Sequence, residues 1–537
     1  MVFAALQADA ILNTVRFMYL QSFHCIKFIE EVHPSRVLFM DLEEKGACGG
    51  LVDAYHAVCD YLRVKESKEM LWLMHHVFVN GKVLNFSIFK QPLPLEDLKA
   101  FLMALLFNQH FTEMVVEEFV NSREIFHLLV YYFENTKSRS VEKLILKKID
   151  FAKENGIALM KALGLQSFGM KRIEFANAPF DERALKFLGE SLSLFQLQSL
   201  NLSNLLAKDS PELFSSIKDQ TTLTNLHLEG FQLCVKSATQ LHALLTGPNN
   251  LQTLELPYLK FGKMDNFVFY HFLSSPTLSG LAKLDLSGNV LQDSGIKFLS
   301  YFLASSKNLN HLNISYCNLS GEEFFTICEK IDSNPYLEKF TLKATNNSFT
   351  PHTGAKLGDF LKYQKGVIES MDVSDNDFGD EGMVYIFENL FTSQSPKRFY
   401  ANRTFDSKVG KGGDHIRNRL KLAFRNVAQA KDFRLKTLHI AGSPQIKSKQ
   451  LKDSLHPLLS ALFHVTTISD LNLSGHKMGY NGAIAISHLV SLNPNIKKLY
   501  WDDNGTNLLG LKYFLTVLQN SCNLVESPVP MNDALQI

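Results

Sequence analysis

The chain has no excess of charge of either sign: 55 Lys and Arg stand against 54 Asp and Glu, a formal net charge of +1 over 537 residues. Nothing in that balance points to nucleic acid as a partner. No run of about 18 uncharged apolar residues occurs, the length a membrane-spanning helix requires. Seven cysteines are scattered without paired spacing, which argues against a disulfide framework. Cys48, His56, Cys59, His75 and His76 lie near one another in sequence, but only His56 and Cys59 stand at a metal-ligand spacing. Cys48 and Cys59 read as packing residues, and no metal is expected. There is no phosphate-binding glycine loop followed by Lys and Ser or Thr, and no Ser or Cys in a nucleophile elbow. The reading is a non-enzyme with no cofactor and no small-molecule substrate.

What is present is repetition. A short strand phrase recurs at a spacing of about 28 residues. It is clearest at Leu284-Asp285-Leu286-Ser287-Gly288-Asn289, Leu312-Asn313-Ile314-Ser315, Met371-Asp372-Val373-Ser374-Asp375-Asn376 and Leu471-Asn472-Leu473-Ser474. Further copies centre on Leu84, Met114, Leu144, Ile173, Leu200, Leu226, Leu254, Phe340, Phe399, Leu438 and Leu499. That makes roughly fifteen units of a leucine-rich-repeat solenoid. One unit cannot bury its own apolar face, so each relies on its neighbours.

Residues 281–303 show how a unit builds itself. Leu281, Leu284 and Leu286 face inward and Lys283, Asp285 and Ser287 outward, because strand side chains alternate. Asn289 then leaves the strand and, with Asn318 and Asn376, is expected to satisfy turn backbone in an asparagine ladder. After Asp293 the period becomes 3.6, placing Ile296, Leu299 and Leu303 on one helical face. The stripe returns in Phe324, Ile327, Cys328 and Ile331, behind a capping-box spacing of Ser320 and Glu323, and again in Met383, Ile386, Phe387 and Leu390. The fold class is therefore α/β, a ribonuclease-inhibitor-like horseshoe with parallel strands on the concave face and helices on the convex face.

The N-terminal stretch from Ile11 to Ile29 contains Arg16, His24 and Lys27 and no clean cleavage site, so it reads as an amphipathic helix rather than a signal peptide. A cytoplasmic chain is expected, and Asn-x-Ser triplets such as Asn313 to Ser315 are read as repeat strand rather than glycosylation sites. Residues 1–40 form a helical N-terminal segment, 41–80 a linker and cap, 81–525 the repeats, and 526–537 the exit.

Two phrases flank the repeats. The first is Gly46-Ala47-Cys48-Gly49-Gly50, followed by Ala54-Tyr55, Cys59-Asp60-Tyr61 and Trp72. The second is Leu499-Tyr500-Trp501-Asp502-Asp503-Asn504, followed by Pro528-Val529-Pro530-Met531-Asn532-Asp533-Ala534. Both resemble the CARMIL family, the linkers of capping protein, the Arp complex and myosin-I, over about Asp41 to Ile537. The resemblance implies a protein-interaction scaffold of the actin cortex, with cortical protein partners and a link to filament organisation and capping-protein regulation. It also implies a cytoplasmic, cytoskeletal or cell-cortex location. Only the last helix of the family's pleckstrin-homology-like domain fits, within Ala4 to Phe28, and the family's capping-protein-binding tail has no counterpart to transfer.

Two surfaces are candidates for contact. The first is a basic stretch: Lys397, Arg398, Arg403, Lys408, Lys411, Arg417, Arg419, Lys421 and Arg425, continuing to Lys431, Arg434 and Lys436. With Gly410, Gly412 and Gly413 in its middle it reads as a flexible loop for acidic phospholipid or an acidic protein face, against the plainer reading of a solvated insertion. The second is the concave face: Lys283, Asp285, Asn313, Lys339, Thr341, Asp372, Tyr400, His439, Asn472, Lys498 and Tyr500, where the two tyrosines are candidate anchors. Any solenoid must place polar groups there, which is its plainer reading. Trp501 reads as core. An alternative function is a GTPase activator of the Ran-activator type, with Arg398 or Arg403 as a charge-stabilising finger. A stoichiometric inhibitor is a third class, which the mixed charges of the concave face disfavour.

Overall fold

In the computed structural model, residues 47–537 are described apart from 89–93, 107, 119–122, 137–139, 153, 166–168, 206–210, 261–269, 407–410, 431–432 and 521–522. The helix expected within residues 1–40 lies outside the described residues. The chain forms two compact units, Met1–Leu251 with Leu259–Met264, and Gln252–Tyr258 with Asp265–Ile537. Each is a leucine-rich-repeat stack in which a strand, a turn and a helix recur.

The first unit carries β1 (Val83–Asn85), β2 (Glu113–Glu117), β3 (Lys143–Lys147), β4 (Arg172–Ala176), β5 (Ser199–Ser203) and β6 (Asn225–Glu229), each parallel to the next. The second carries β7 (Thr253–Glu255), β8 (Lys283–Asp285), β9 (His311–Asn313), β10 (Phe340–Lys343), β11 (Ile368–Asp372), β12 (Arg398–Tyr400), β13 (Thr437–His439), β14 (Asp470–Asn472) and β15 (Lys498–Tyr500), again all parallel. The predicted inward residues align strand against strand and are buried, from Leu84 through Leu226 in the first unit and from Leu254 through Leu499 in the second. Each contributes about 1.5–3 kcal/mol of burial.

One register differs from expectation. Leu342, not Phe340, pairs with Leu312 and Met371, since the step from Leu312 to its partner in β10 is longer than the repeat; the irregularity between Phe340 and Thr341 leaves Glu369 of β11 as the extra residue. Phe340 and Leu342 are both apolar and two apart, so alternation alone fits either register.

The helices follow their stripes. Ile296, Leu299 and Leu303 are buried on Asp293–Ser305, and Phe324, Ile327, Cys328 and Ile331 on Gly321–Ser333. The capping box forms: Glu323 Oε2 accepts the Ser320 N–H at 2.7 Å, and Ser320 Oγ accepts the Glu323 N–H at 3.4 Å. Helices Pro351–Tyr363 and Gly379–Asn389 approach so closely that a Cβ on Gly354 would stand 2.5 Å from the Gly382 Cα. Glycine is required at that crossing.

Behind the strands of the second unit runs a buried polar ladder. Asn289 Nδ2 donates to the Leu256 and Leu286 carbonyls at 2.7 and 2.8 Å. The next rung is Cys317 rather than Asn318: its thiol donates to the Leu286 carbonyl at 3.3 Å, and burial pushes its pKa up to about 12, keeping it a donor. Asn318 instead takes a left-handed turn with φ of 55°. Counting from the strand, three positions past Ile314 is Cys317, and a thiol substitutes for the amide there. Asn347 Oδ1 accepts the Cys317 and Leu319 N–H groups, Asn376 Oδ1 accepts the Asn347 N–H at 2.7 Å, and Thr404 Oγ1 donates to the Ala401 carbonyl at 2.7 Å. In the first unit the same positions are apolar, at Ile149, Ala178, Leu205 and Phe231. There β2 to β6 run five residues, so backbone pairing extends further along the strand.

The ladder continues through His476, Asn504 and Asp533. Asn504 Oδ1 accepts the His476 N–H at 3.1 Å. Asp533, fully buried, then accepts the Asn504 N–H at 3.0 Å and the Gly505 N–H at 2.8 Å. The phrase around Asp533 thus supplies a further rung, and Asp502 ties it down by accepting the Asn532 and Asp533 N–H groups. Asp533→Ala leaves the buried Asn504 N–H and the part-buried Gly505 N–H without their acceptor and is expected to cost about 2 kcal/mol. Urea unfolding of the variant measures this; an unchanged midpoint contradicts the rung.

His476 Nε2 meets the Ile440 carbonyl at 2.6 Å and Nδ1 accepts the Leu451 N–H at 3.2 Å, so the neutral ring is fixed in one tautomer. Burial drives its pKa from 6.5 down to about 4, only partly opposed by the Ile440 carbonyl. Between those values the unfolded chain binds a proton that the folded chain does not, so stability falls as pH drops through the window, on the order of 3 kcal/mol in full. His476→Asn keeps a ladder amide and removes the titration. Its melting temperature is expected to fall less steeply than that of the parent between pH 6.5 and about 4; equal slopes contradict the assignment.

Candidate functional site

Strand alternation gives the sheet of the second unit an outer face with two rows of side chains. One row runs Lys283, His311, Thr341, Ser370, Arg398, Thr437, Asp470 and Lys498. The other runs Asp285, Asn313, Lys343, Asp372, Tyr400, His439, Asn472 and Tyr500. Every residue expected on this face is there except Lys339. It precedes β10 with φ of 51°, and with Leu342 as the inward residue its place goes to Lys343. His311 and Asp470 belong to the face and carry charge or polarity that pattern reading passed over. Burial, then Lys343 and Lys283, lowers the His311 pKa.

At the β12–β15 end the face is aromatic. The His439 ring stands edge-on to Tyr400 at 4.9 Å and to Tyr500 at 5.8 Å, and its Nε2 meets Asp470 Oδ1 at 2.9 Å. Tyr500 donates to Glu526 Oε1 at 2.5 Å, and Lys498 meets the other oxygen at 2.6 Å. Lys498, with Tyr500, holds the Glu526 carboxyl below its usual range. At the β7–β9 end Asp285 accepts from Asn313 Nδ2 at 2.7 Å, Lys283 pairs with Glu255, and the half-exposed Tyr258 and Tyr316 rings lie 6.2 Å apart at the strand exits. Charges on this face are thus largely paired side to side, and the aromatic rings gather at its two ends.

The basic stretch does not assemble into one patch. Lys397 and Arg398 stand at the entrance of β12 and share Glu369, at 2.6 and 3.3 Å. Lys397 first, then Arg398, holds that carboxyl below the usual range despite its burial. Arg403 lies past the exit of β12, its Nε and Nη2 each 2.5 Å from an oxygen of Asp375. Residues 411–426 are a helix rather than a loop, with Gly412 and Gly413 in its first turn. Its apolar residues Leu420, Ala423 and Phe424 are buried, which the dense charge around them obscures in the sequence. On it Arg419 pairs with Glu388 at 3.2 Å and lies 5.0 Å over the Tyr385 ring. Lys421 is half-buried and Arg425 exposed, and Arg417 is half-buried. Lys408, Gly410 and Lys431 lie outside the described residues, as does the side chain of Lys411.

In the N-terminal region Cys48, Gly49 and Gly50 all take left-handed backbone, turning the chain into helix Ala47–Leu62. Asn108 Nδ2 donates to the Cys48 carbonyl at 2.8 Å and the Cys48 thiol to the Met74 carbonyl at 3.2 Å, fastening this turn to the first repeats. Cys48 and Cys59 are buried, as the packing reading has it. Among the described residues no three His, Cys, Asp or Glu side chains converge as metal ligands, and no helix is long and apolar enough to cross a membrane.

The chain matches the model of the CARMIL family, LRR domain, over residues 48–537. It is 26% identical to Protein CARMIL of Dictyostelium discoideum, over 99% of this chain and 51% of that protein. It is 24% identical to the Rho GTPase-activating protein gacW of the same organism, over 92% of this chain and 41% of that protein. To human capping protein, Arp2/3 and myosin-I linker protein 3 it is 24% identical, over 91% of this chain and 36% of that protein. The chain therefore spans about half the length of the first of these relatives and less of the others. With the family model running from Cys48, inside the first flanking phrase, through the repeats and the second phrase, the chain belongs to the CARMIL family.

Proposed function

We propose that this chain is a non-catalytic protein-interaction scaffold of the actin cortex, cytoplasmic and tied to actin filament organisation and capping-protein regulation. The observation that carries the reading is the family match over residues 48–537, together with relatives whose names link capping protein, Arp2/3 and myosin-I. The two half-exposed aromatic positions on the sheet face support it, since tyrosines on a rigid strand array lose little entropy on contact.

The GTPase-activator reading draws on the likeness to gacW. The region shared with gacW is also the region shared with the CARMIL proteins at similar identity, so it does not favour one activity over another. Both candidate finger arginines are already engaged, Arg398 on Glu369 and Arg403 bidentate on Asp375. A finger must leave such a partner to reach a transition state, at the cost of a charge-assisted pair. The scaffold reading needs no such release.

Two measurements test this together. A fluorescently tagged chain is expected to concentrate at the cell cortex with filamentous actin, and the purified chain is expected to leave the GTP hydrolysis of Ran and Rho at their intrinsic rates. Uniform cytoplasmic fluorescence removes the cortical assignment. Accelerated hydrolysis that disappears in Arg403→Ala replaces the scaffold with the activator.

A further inference from the structure

The entrances of β11 to β15 line an open groove of about 370 Å³ beside the aromatic row. Five cations face it: Lys397, Arg398, Lys436, Lys497 and Lys498. Its lining holds two carboxylates, Glu369 and Asp470, and Glu526 sits on Lys498. Five cations less three carboxylates leaves a surplus of two positive charges in a chain whose overall balance is +1. The surplus has an address. Glu369 is shared by Lys397 and Arg398, and Asp470 is engaged by His439. Lys436 and Lys497 are exposed and have no acidic partner within ion-pair distance among the described residues.

We infer that this groove is the docking strip for an extended acidic segment of a partner protein. The claim rests on the scaffold reading above and names the chemistry of its partner. Three features favour a peptide over a single headgroup. The cations are strung along the strand-stacking direction from β12 to β15, and three strand spacings of about 4.8 Å make a strip of roughly 14 Å, the reach of about four extended residues. Glu369 and Asp470 interrupt the positive strip, so a ligand must place its acids in register with Lys436 and Lys497 rather than spread charge evenly. Tyr400 and Tyr500 stand two residues beyond Arg398 and Lys498 on the same face, giving the segment apolar contact beside its charges. Desolvated carboxylates on two unpaired ammonium groups give affinity and register, and a like-charged segment is rejected.

Fluorescence anisotropy tests this with a labelled short peptide of alternating Glu and Tyr against the full chain. A matched Lys and Tyr peptide and vesicles rich in phosphatidylserine serve as the other probes. The acidic peptide is expected to bind and the basic one not, and the Lys436→Glu, Lys497→Glu double variant is expected to bind the acidic peptide at least about tenfold more weakly. Both lysines are exposed, and an unchanged melting temperature checks that the double variant is folded. Equal binding by the parent and the double variant, or no binding by the parent, overturns the inference. Vesicle binding that depends on Lys436 and Lys497 without peptide binding overturns it in favour of a lipid surface. Cortical enrichment of the parent chain, alongside failure of that parent to bind the acidic peptide, leaves the scaffold reading standing and removes only the groove.

Discussion

No repeat in this protein can bury its own strand and helix, and everything else in the structure answers to that constraint. Each inward residue needs the coil before and after it, so strand register is fixed wherever a slip would turn an apolar row outward. In the second unit the constraint is doubled by a polar one. The turn that ends each strand leaves backbone groups inside the stack, and a buried amide, thiol, hydroxyl, imidazole or carboxylate from the same unit or the next satisfies them. Asn347, Asn376 and Asn504 each join two coils in this way. Removing one such group costs more than one hydrogen bond, because the partners stay buried and unpaired.

The polar ladder also reaches beyond β15. Asp533 carries it on with its carboxylate on two N–H groups, from the short helix Met531–Leu535. The flanking phrases that mark the family in sequence are therefore physical fasteners: the Cys48–Gly50 turn held by Asn108 at one side, and Asp502, Asn504 and Asp533 at the other.

The repeat period and the inward row were legible in the sequence because burial imposes an alternation that few substitutions escape. The row failed only at Phe340, where the step from Leu312 to Leu342 is longer than the repeat, two apolar candidates stand two apart, and only the neighbouring strands decide. The ladder was legible where it is Asn and hidden where Cys317, Thr404 or His476 serves the same backbone with different atoms. The candidate surfaces were legible only as positions. Alternation told which residues leave the core, but it carries no information on partners in the next coil about 28 residues away. Hence Arg403 looked like free charge until Asp375 was seen across the turn, and the basic run looked like one patch until the chain folded it onto a strand entrance, a strand exit and a helix. Conversely, Lys436 and Lys497 stand 61 positions apart in sequence, 497 − 436, and meet in one groove only through stacking.

Hydrogen exchange followed by mass spectrometry tests most directly whether the buried ladder holds the stack as far as Asp533. The amides of Asn504 and Gly505 lie in a turn, past the last strand, with only the Asp533 carboxylate as acceptor. If the ladder closes on Asp533, peptides covering these amides exchange as slowly as those covering β14 and β15. Exchange at the rate of an open turn, with the strands still protected, would contradict it.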